Sequence, residues 1–209
     1  MAVGPPGRVI FKMNKIDKIY KNSVSIQKYC QSYFKYLNEV LISISLSEIE
    51  QFIVTLLKAR DQGAKIYFIG NGGSAATASH FANDIAIGTR EYDKPFKAIS
   101  LCDNNAILTA ISNDDGFDSV FSQQLQVLLN KGDVVVAISA SGNSVNLLKA
   151  FDVAKQKGAI TVGLSAFDGG KLKIEADISV HVPTGKSEYG PAEDLHMVVC
   201  GLMGSYFRK

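Results

Sequence analysis

The 209-residue chain is 46% hydrophobic and 20% charged, the balance of an ordinary soluble globular protein rather than a disordered one. A formal net charge of +2 gives a nucleic-acid backbone or an anionic membrane nothing to hold. No apolar run approaches the roughly 20 residues that span a bilayer.

The opening MAVGPPGRVIFK has neither the basic start, long apolar segment nor cleavage site of a secretion signal, and residues 1–12 read as a flexible tail. Met13 is a second candidate start. Residues 13–209 read as one domain with an N-terminal helical extension. Cys30, Cys102 and Cys200 are isolated, with no Cys-x-x-Cys spacing, which suits reduced thiols in a cytoplasmic protein. From Ser23 to about Ile44, Ile26, Cys30, Tyr33, Phe34, Leu37 and Leu41 recur at spacings of three and four, predicting an amphipathic helix. Its apolar stripe is too wide to face water and calls for a docking surface, on the domain or on a partner chain. Ser47, with Glu50 three residues on, is the expected N-cap of a second helix that runs to about Asp61 and stops at Gly63.

Ile66-Tyr67-Phe68-Ile69 is a short strand. The loop Gly70-Asn71-Gly72-Gly73-Ser74 follows, then an Ala-rich helix ending at Gly88, with Ser74 in the expected N-cap position. A helix start with free backbone N–H groups attracts anions. His80 and Asp84, at i and i+4, share one face of this helix. Phe96–Leu101 is the next strand. Asp103-Asn104-Asn105 leads from it into a short helix over 106–111, and Asn113–Gly116 reads as a turn. Phe117–Leu129 reads as helix. Val134–Ile138 is apolar without alternation, as in a strand covered on both faces of a parallel sheet. It runs into Ser139-Ala140-Ser141-Gly142-Asn143-Ser144 and a helix to about Gln156. Ile160–Leu164 and Ile178–Val182 are two further strands, and Pro191 sits near the start of a last helix over 192–207.

Strands alternating with helices predict an α/β fold, a three-layer α/β/α sandwich around a parallel sheet. Ligands of such sheets bind beyond the carboxyl ends of the strands, where both Gly/Ser loops must lie. SASGNS supplies the hydroxyls of Ser139, Ser141 and Ser144 and helix-start amides, a phosphate cradle without a lysine. Neither loop is G-x-x-x-x-G-K-[ST] or G-x-G-x-x-G, so a monophosphate fits better than a nucleotide cofactor.

GNGGSAATASHFAND, SLCDNNAILTAISNDDGFDSVF, AISASGNSVNLLKA and EDLHM occur in this order. Together they resemble the sugar isomerase (SIS) domain family, in particular its phosphoheptose isomerase group, over roughly Ile49 to Phe207. The resemblance implies a flavodoxin-like sheet of five parallel strands and a homotetramer with sites between subunits. It implies isomerisation of sedoheptulose 7-phosphate to an aldose heptose 7-phosphate for surface polysaccharide. Asn71, Gly72, Ser74, Asp103, Ser139, Ser141 and Ser144 would bind the sugar phosphate. In that group a histidine and a glutamate on the first helix, with a glutamine and a histidine on the last, form the catalytic and zinc-binding set. Here His80 matches, Asp84 stands for the glutamate, Glu193 for the glutamine and Gly201 for the last histidine, while Ala140 replaces a hydroxyl residue. His80, Asp84 and Glu193 are therefore the expected catalytic residues and the expected ligands of one zinc per subunit. Asp84 or Glu193 would be the base, with His80 assisting. His196 is a candidate replacement for the missing histidine or a packing residue, and His181 reads as structural. The alternative is a non-catalytic SIS protein, a sugar-phosphate binder or an assembly factor of the replication-initiator kind.

Overall fold

The computed structural model describes residues 13–208, so the tail expected over 1–12 lies outside the described residues. Five strands form one parallel sheet: β1 (Lys65–Gly70), β2 (Lys97–Ser100), β3 (Val134–Ser139), β4 (Ile160–Ala166) and β5 (Ile178–Val182), in the order β2-β1-β3-β4-β5. Central β3 is buried at every position, which accounts for its unbroken apolar run, whereas edge strand β2 exposes Lys97 and Ile99. Strand order reverses between β1 and β3: from β1 the chain moves outward to β2, then returns to the other side. The carboxyl ends of these two strands therefore diverge into separate loops and leave a crevice between them.

The helices are α1 (Lys15–Asn22), α2 (Ile26–Leu41), α3 (Leu46–Asp61), α4 (Gly73–Asn83), α5 (Asn105–Asp114), α6 (Ser122–Leu128), α7 (Val145–Gln156), α8 (Gly170–Glu175) and α9 (Tyr189–Phe207). Successive strand residues point to opposite faces. Ile66 and Phe68 join Phe52, Phe81, Leu195 and Met203 in the layer made by α3, α4 and α9, with Phe68 and Phe81 ring centres 4.8 Å apart. Tyr67 and Ile69 join Phe121, Leu125, Leu147 and Phe151 in the layer of α6 and α7. The three-layer expectation holds.

Local details differ from the sequence reading. Ser45, not Ser47, caps α3 and accepts from Glu48 N, because the helix begins two residues earlier than the Ser47/Glu50 pattern suggests. Gly72, at φ 55°, caps α4, and Ser74 lies buried inside the first turn. The 117–129 segment breaks into a single 3-10 turn, Phe117–Ser119, and α6. Helix α5 runs on to Asp114, through the expected turn. Pro191 is the third residue of α9, where a missing N–H still costs no helical bond.

No single helix among the described residues is long and apolar enough to cross a membrane. Helices α2 and α3 pass that test only as a pair bent by 70°, and α3 buries Phe52 and Leu56 against the sheet.

The N-terminal helices are tied to the far end of the chain by one buried carboxylate. Glu188, 2% exposed, accepts from Lys15 N at 2.6 Å, from Gly185 N at 2.8 Å and from the Tyr36 hydroxyl. Burial, reinforced by this carboxylate, pushes the Tyr36 phenol up to about 12. Tyr33 donates to Asp194 Oδ2 at 2.5 Å, a second link from α2 to α9.

Candidate active site

The two Gly/Ser loops leave the divergent ends of β1 and β3 and enclose a cavity of about 170 Å³. Asn71, Ser74, Ile138, Ser139, Ala140, Ser141, Ser144, Tyr189 and Glu193 line it. Six of the residues singled out from the sequence are thus brought together: Asn71, Ser74, Ser139, Ser141, Ser144 and Glu193.

The loops are held by their own polar groups. Gly142 N donates to Ser139 Oγ at 3.1 Å, and Asn143 N donates to Ser141 Oγ at 3.3 Å. Each hydroxyl uses a lone pair in this way and keeps its O–H for a ligand. Ser144 occupies the N-cap of α7 but makes no side-chain cap bond, so its hydroxyl is not spent on the helix. Asn71 exchanges amide hydrogen bonds with buried Asn146, 2.9 Å each way, which fixes the amide that faces the cavity. The helix starts of α4 and α7 point their free N–H groups toward the same region, a favourable field for a phosphate. Glu193 crosses from α9 to pack on Gly73, where any Cβ would collide with its carboxylate.

Asp103 is not a lining residue. It accepts from Ser79 and Ser100 beside the cavity, at the end of β2. Gly72 serves as the cap of α4 rather than as a wall.

His80 and Asp84 form a separate pair, Nε2 to Oδ2 3.2 Å, with His80 half-exposed. Helix α4 gives way to a π-helical turn, Asp84–Gly88, and the change falls on Asp84 itself. Such turns widen the helix and often occur at functional positions. Among the described residues, one group brings three metal-binding side chains together: His80, Asp84 and Cys200, with donor atoms within 4.8 Å of one another. Glu193, expected in that group, is outside it, because it sits two turns before Cys200 on α9 and faces the serine loops instead. Two donors at ordinary bond lengths on a tetrahedral zinc sit roughly 3.3 Å apart, so the His80–Asp84 separation fits a shared ion. Burial, with the Asp84 carboxylate adding to it, pushes the Cys200 thiol up to about 12.

Gly201 faces open space, with nothing within 4 Å of where its Cβ would stand. It borders a second cavity of about 290 Å³ lined by Asp84, Gly88, Gly201, Gly204, Ser205 and Arg208. His196 does not fill this gap. It is fully buried, neither ring nitrogen has a hydrogen-bond partner, and burial pulls its pKa down to about 4. The neighbouring Ser165 backbone opposes that shift without reaching hydrogen-bonding geometry, and His196 is a neutral core residue. His181 lies with Ser165 on the adjacent strand, Nδ1 to Oγ 3.4 Å, away from both cavities.

Asn146, Tyr189 and Cys200 were not legible as site residues. Asn146 stood two residues past the serine loop, and its only signal was an amide within an otherwise apolar helix start.

The SIS domain family model matches residues 28–166. The phosphoheptose isomerase of Geobacter metallireducens is 42% identical over 158 residues, 74% of this chain and 83% of that protein. That of Helicobacter pylori is 40% identical over 159 residues, covering 76% and 82%. The solved phosphoheptose isomerase of Neisseria gonorrhoeae superposes with a TM-score of 0.79 at 30% identity, covering 88% of this chain and 98% of that one. Five parallel strands in the order 2-1-3-4-5, two serine-bearing loops at the strand reversal and these relatives agree: the chain belongs to the SIS domain family, in its phosphoheptose isomerase group.

Proposed function

We propose that the protein is an aldose–ketose isomerase that converts sedoheptulose 7-phosphate to an aldose heptose 7-phosphate, a precursor for surface polysaccharide. The observation that carries this reading is the meeting of four serines, Asn71 and a carboxylate, Glu193, in one small cavity. The hydroxyls of Ser74, Ser139, Ser141 and Ser144, with the helix-start amides, would hold the phosphate, and Asn71 would orient the sugar. Glu193 is then the base. It takes a proton from C1, next to the C2 carbonyl, to leave an enediolate; the proton returns to C2 while the O1 hydroxyl proton passes to O2. His80 and Asp84 would hold a zinc ion. When bound, the metal supplies Lewis-acid polarisation of the carbonyl oxygen. No nucleotide cofactor enters this chemistry, and three free cysteines support a cytoplasmic setting.

The empty space at Gly201 favours one second reading, a sugar-phosphate-binding SIS protein without turnover. One experiment separates the two. Incubation with sedoheptulose 7-phosphate should yield aldose product, and Ser141→Ala should raise KM about tenfold or more, the loss of one charge-assisted hydrogen bond of roughly 1.5–3 kcal/mol. A parent protein that binds the sugar phosphate but never turns it over would overturn the isomerase reading.

The assembly is proposed as a homotetramer. Its support is α2, which leaves Ile26 at 83% and Phe34 at 67% exposure, with Ile42 and Leu46 beyond it also exposed. So much clustered apolar surface suits burial against a second copy. Light scattering should return a multiple of 22.6 kDa, and a stable monomer would refute the assembly.

A further inference from the structure

The ligand set that the resemblance implies is not the group of donors that the structure brings within 4.8 Å of one another. Glu193 faces the serine loops, and Gly201 has no side chain, so only His80 and Asp84 remain of the four positions. The donor that completes a third position is one that the family pattern does not use.

We propose that Cys200 is a metal ligand in this chain, binding zinc as a thiolate together with His80 and Asp84. Its Sγ lies within 4.8 Å of both other donor atoms, and the pair it joins already has a separation suited to one ion. Cys200 is fully buried on α9, and its thiol is directed to the π-helical turn where Asp84 begins. Zinc takes Cys, His and carboxylate donors, and a thiolate selects it over magnesium or calcium. On binding, the thiol proton is released to solvent and the sulfur lone pair enters the metal–sulfur bond. The fourth position is left open, and the cavity beside Gly201 gives water or a substrate oxygen room to reach it. The absent histidine is thereby read as part of a relocated ligand set, in which one turn of α9 exchanges an imidazole for its neighbour's sulfur.

The inference rests on the metal-assisted isomerase reading for the identity of the ion, but its test does not depend on turnover. Full-length protein stripped with chelator is titrated with Co²⁺. A near-ultraviolet thiolate-to-cobalt charge-transfer band should grow in and saturate at one cobalt per chain, and zinc should erase it. The chain has three cysteines. A Cys30→Ser/Cys102→Ser double variant therefore leaves Cys200 as the only thiol, with the core residue untouched, and the band should persist. Cys200→Ser should abolish the band and weaken zinc at least tenfold, and His80→Ala, at a half-exposed position, should weaken cobalt binding as well. Cobalt bound without the band, or a band lost in the double variant, overturns the proposal. Turnover of sedoheptulose 7-phosphate without the band refutes the thiolate ligand and leaves the isomerase standing. The band without turnover upholds the ligand and refutes the isomerase.

Discussion

Glu193→Gln should lower kcat on sedoheptulose 7-phosphate by a factor of about 10² or more, the scale of removing one acid–base group. Glutamine keeps the volume that packs on Gly73 and the hydrogen-bonding reach into the cavity, so KM should change little. What is lost is the ability to take a proton. Glutamine is also the residue that the phosphoheptose isomerase pattern carries at this position, so the variant asks whether the base of this chain is Glu193 on α9 or Asp84 at the end of α4. Asp84→Asn is the companion measurement. If Asp84 serves the metal rather than the substrate carbon, its variant should lose zinc along with activity, whereas Glu193→Gln should keep its zinc. A Glu193→Gln enzyme as fast as the parent would remove Glu193 from the chemistry.

Gly142→Ala should be the most destabilising single methyl addition at the site. Gly142 sits at φ 63°, and a Cβ there would overlap the Gly169 carbonyl. The left-handed backbone costs a non-glycine residue roughly 1–2 kcal/mol. Forcing the loop away from Gly169 adds roughly 1–3 kcal/mol, the usual cost of overpacking. For a chain of this length the sum corresponds to a fall in Tm on the order of 10 °C. The same shift would pull Gly142 N away from Ser139 Oγ, so phosphate affinity should fall together with stability. A melting curve displaced by no more than a degree or two would show that the loop has room the structure does not reveal.

Much of this architecture was legible before any coordinates. The β3 run Val134–Ile138 suited a strand covered on both faces, and the turn glycines on either side of the helices marked the alternation that makes a parallel sheet. The two loops were legible because glycine beside serine at the end of an apolar strand has few other uses. What each turn of α9 packs against was not. Glu193 and Cys200 lie two turns apart along one side of α9, and a sequence does not say which of them meets α4 and which meets the loops. The π-helical turn at Asp84 has no sequence signal, yet it sets where that carboxylate points. Asn146 escaped notice because its value lies in pairing with Asn71, 75 residues away. Helix α1 was missed because it is short, buries nothing and is held by an Asn14–Asp17 capping box and a single long-range bond to Glu188.

That bond has a practical side. Tyr189, a wall of the cavity between the two serine-bearing loops, directly follows Glu188 in the chain. Glu188 in turn is clamped by an amide from α1 and a phenol from α2, and among the described residues no lysine or arginine forms an ion pair with it. Trimming the protein to its sheet for crystallography, or fusing a bulky tag against Asn14, would therefore leave every strand in place and still alter the enzyme's doorway. Kinetic constants measured on shortened versions would describe a different mouth on the same sandwich of strands and helices, and comparisons between laboratories would first have to agree on where the chain was cut.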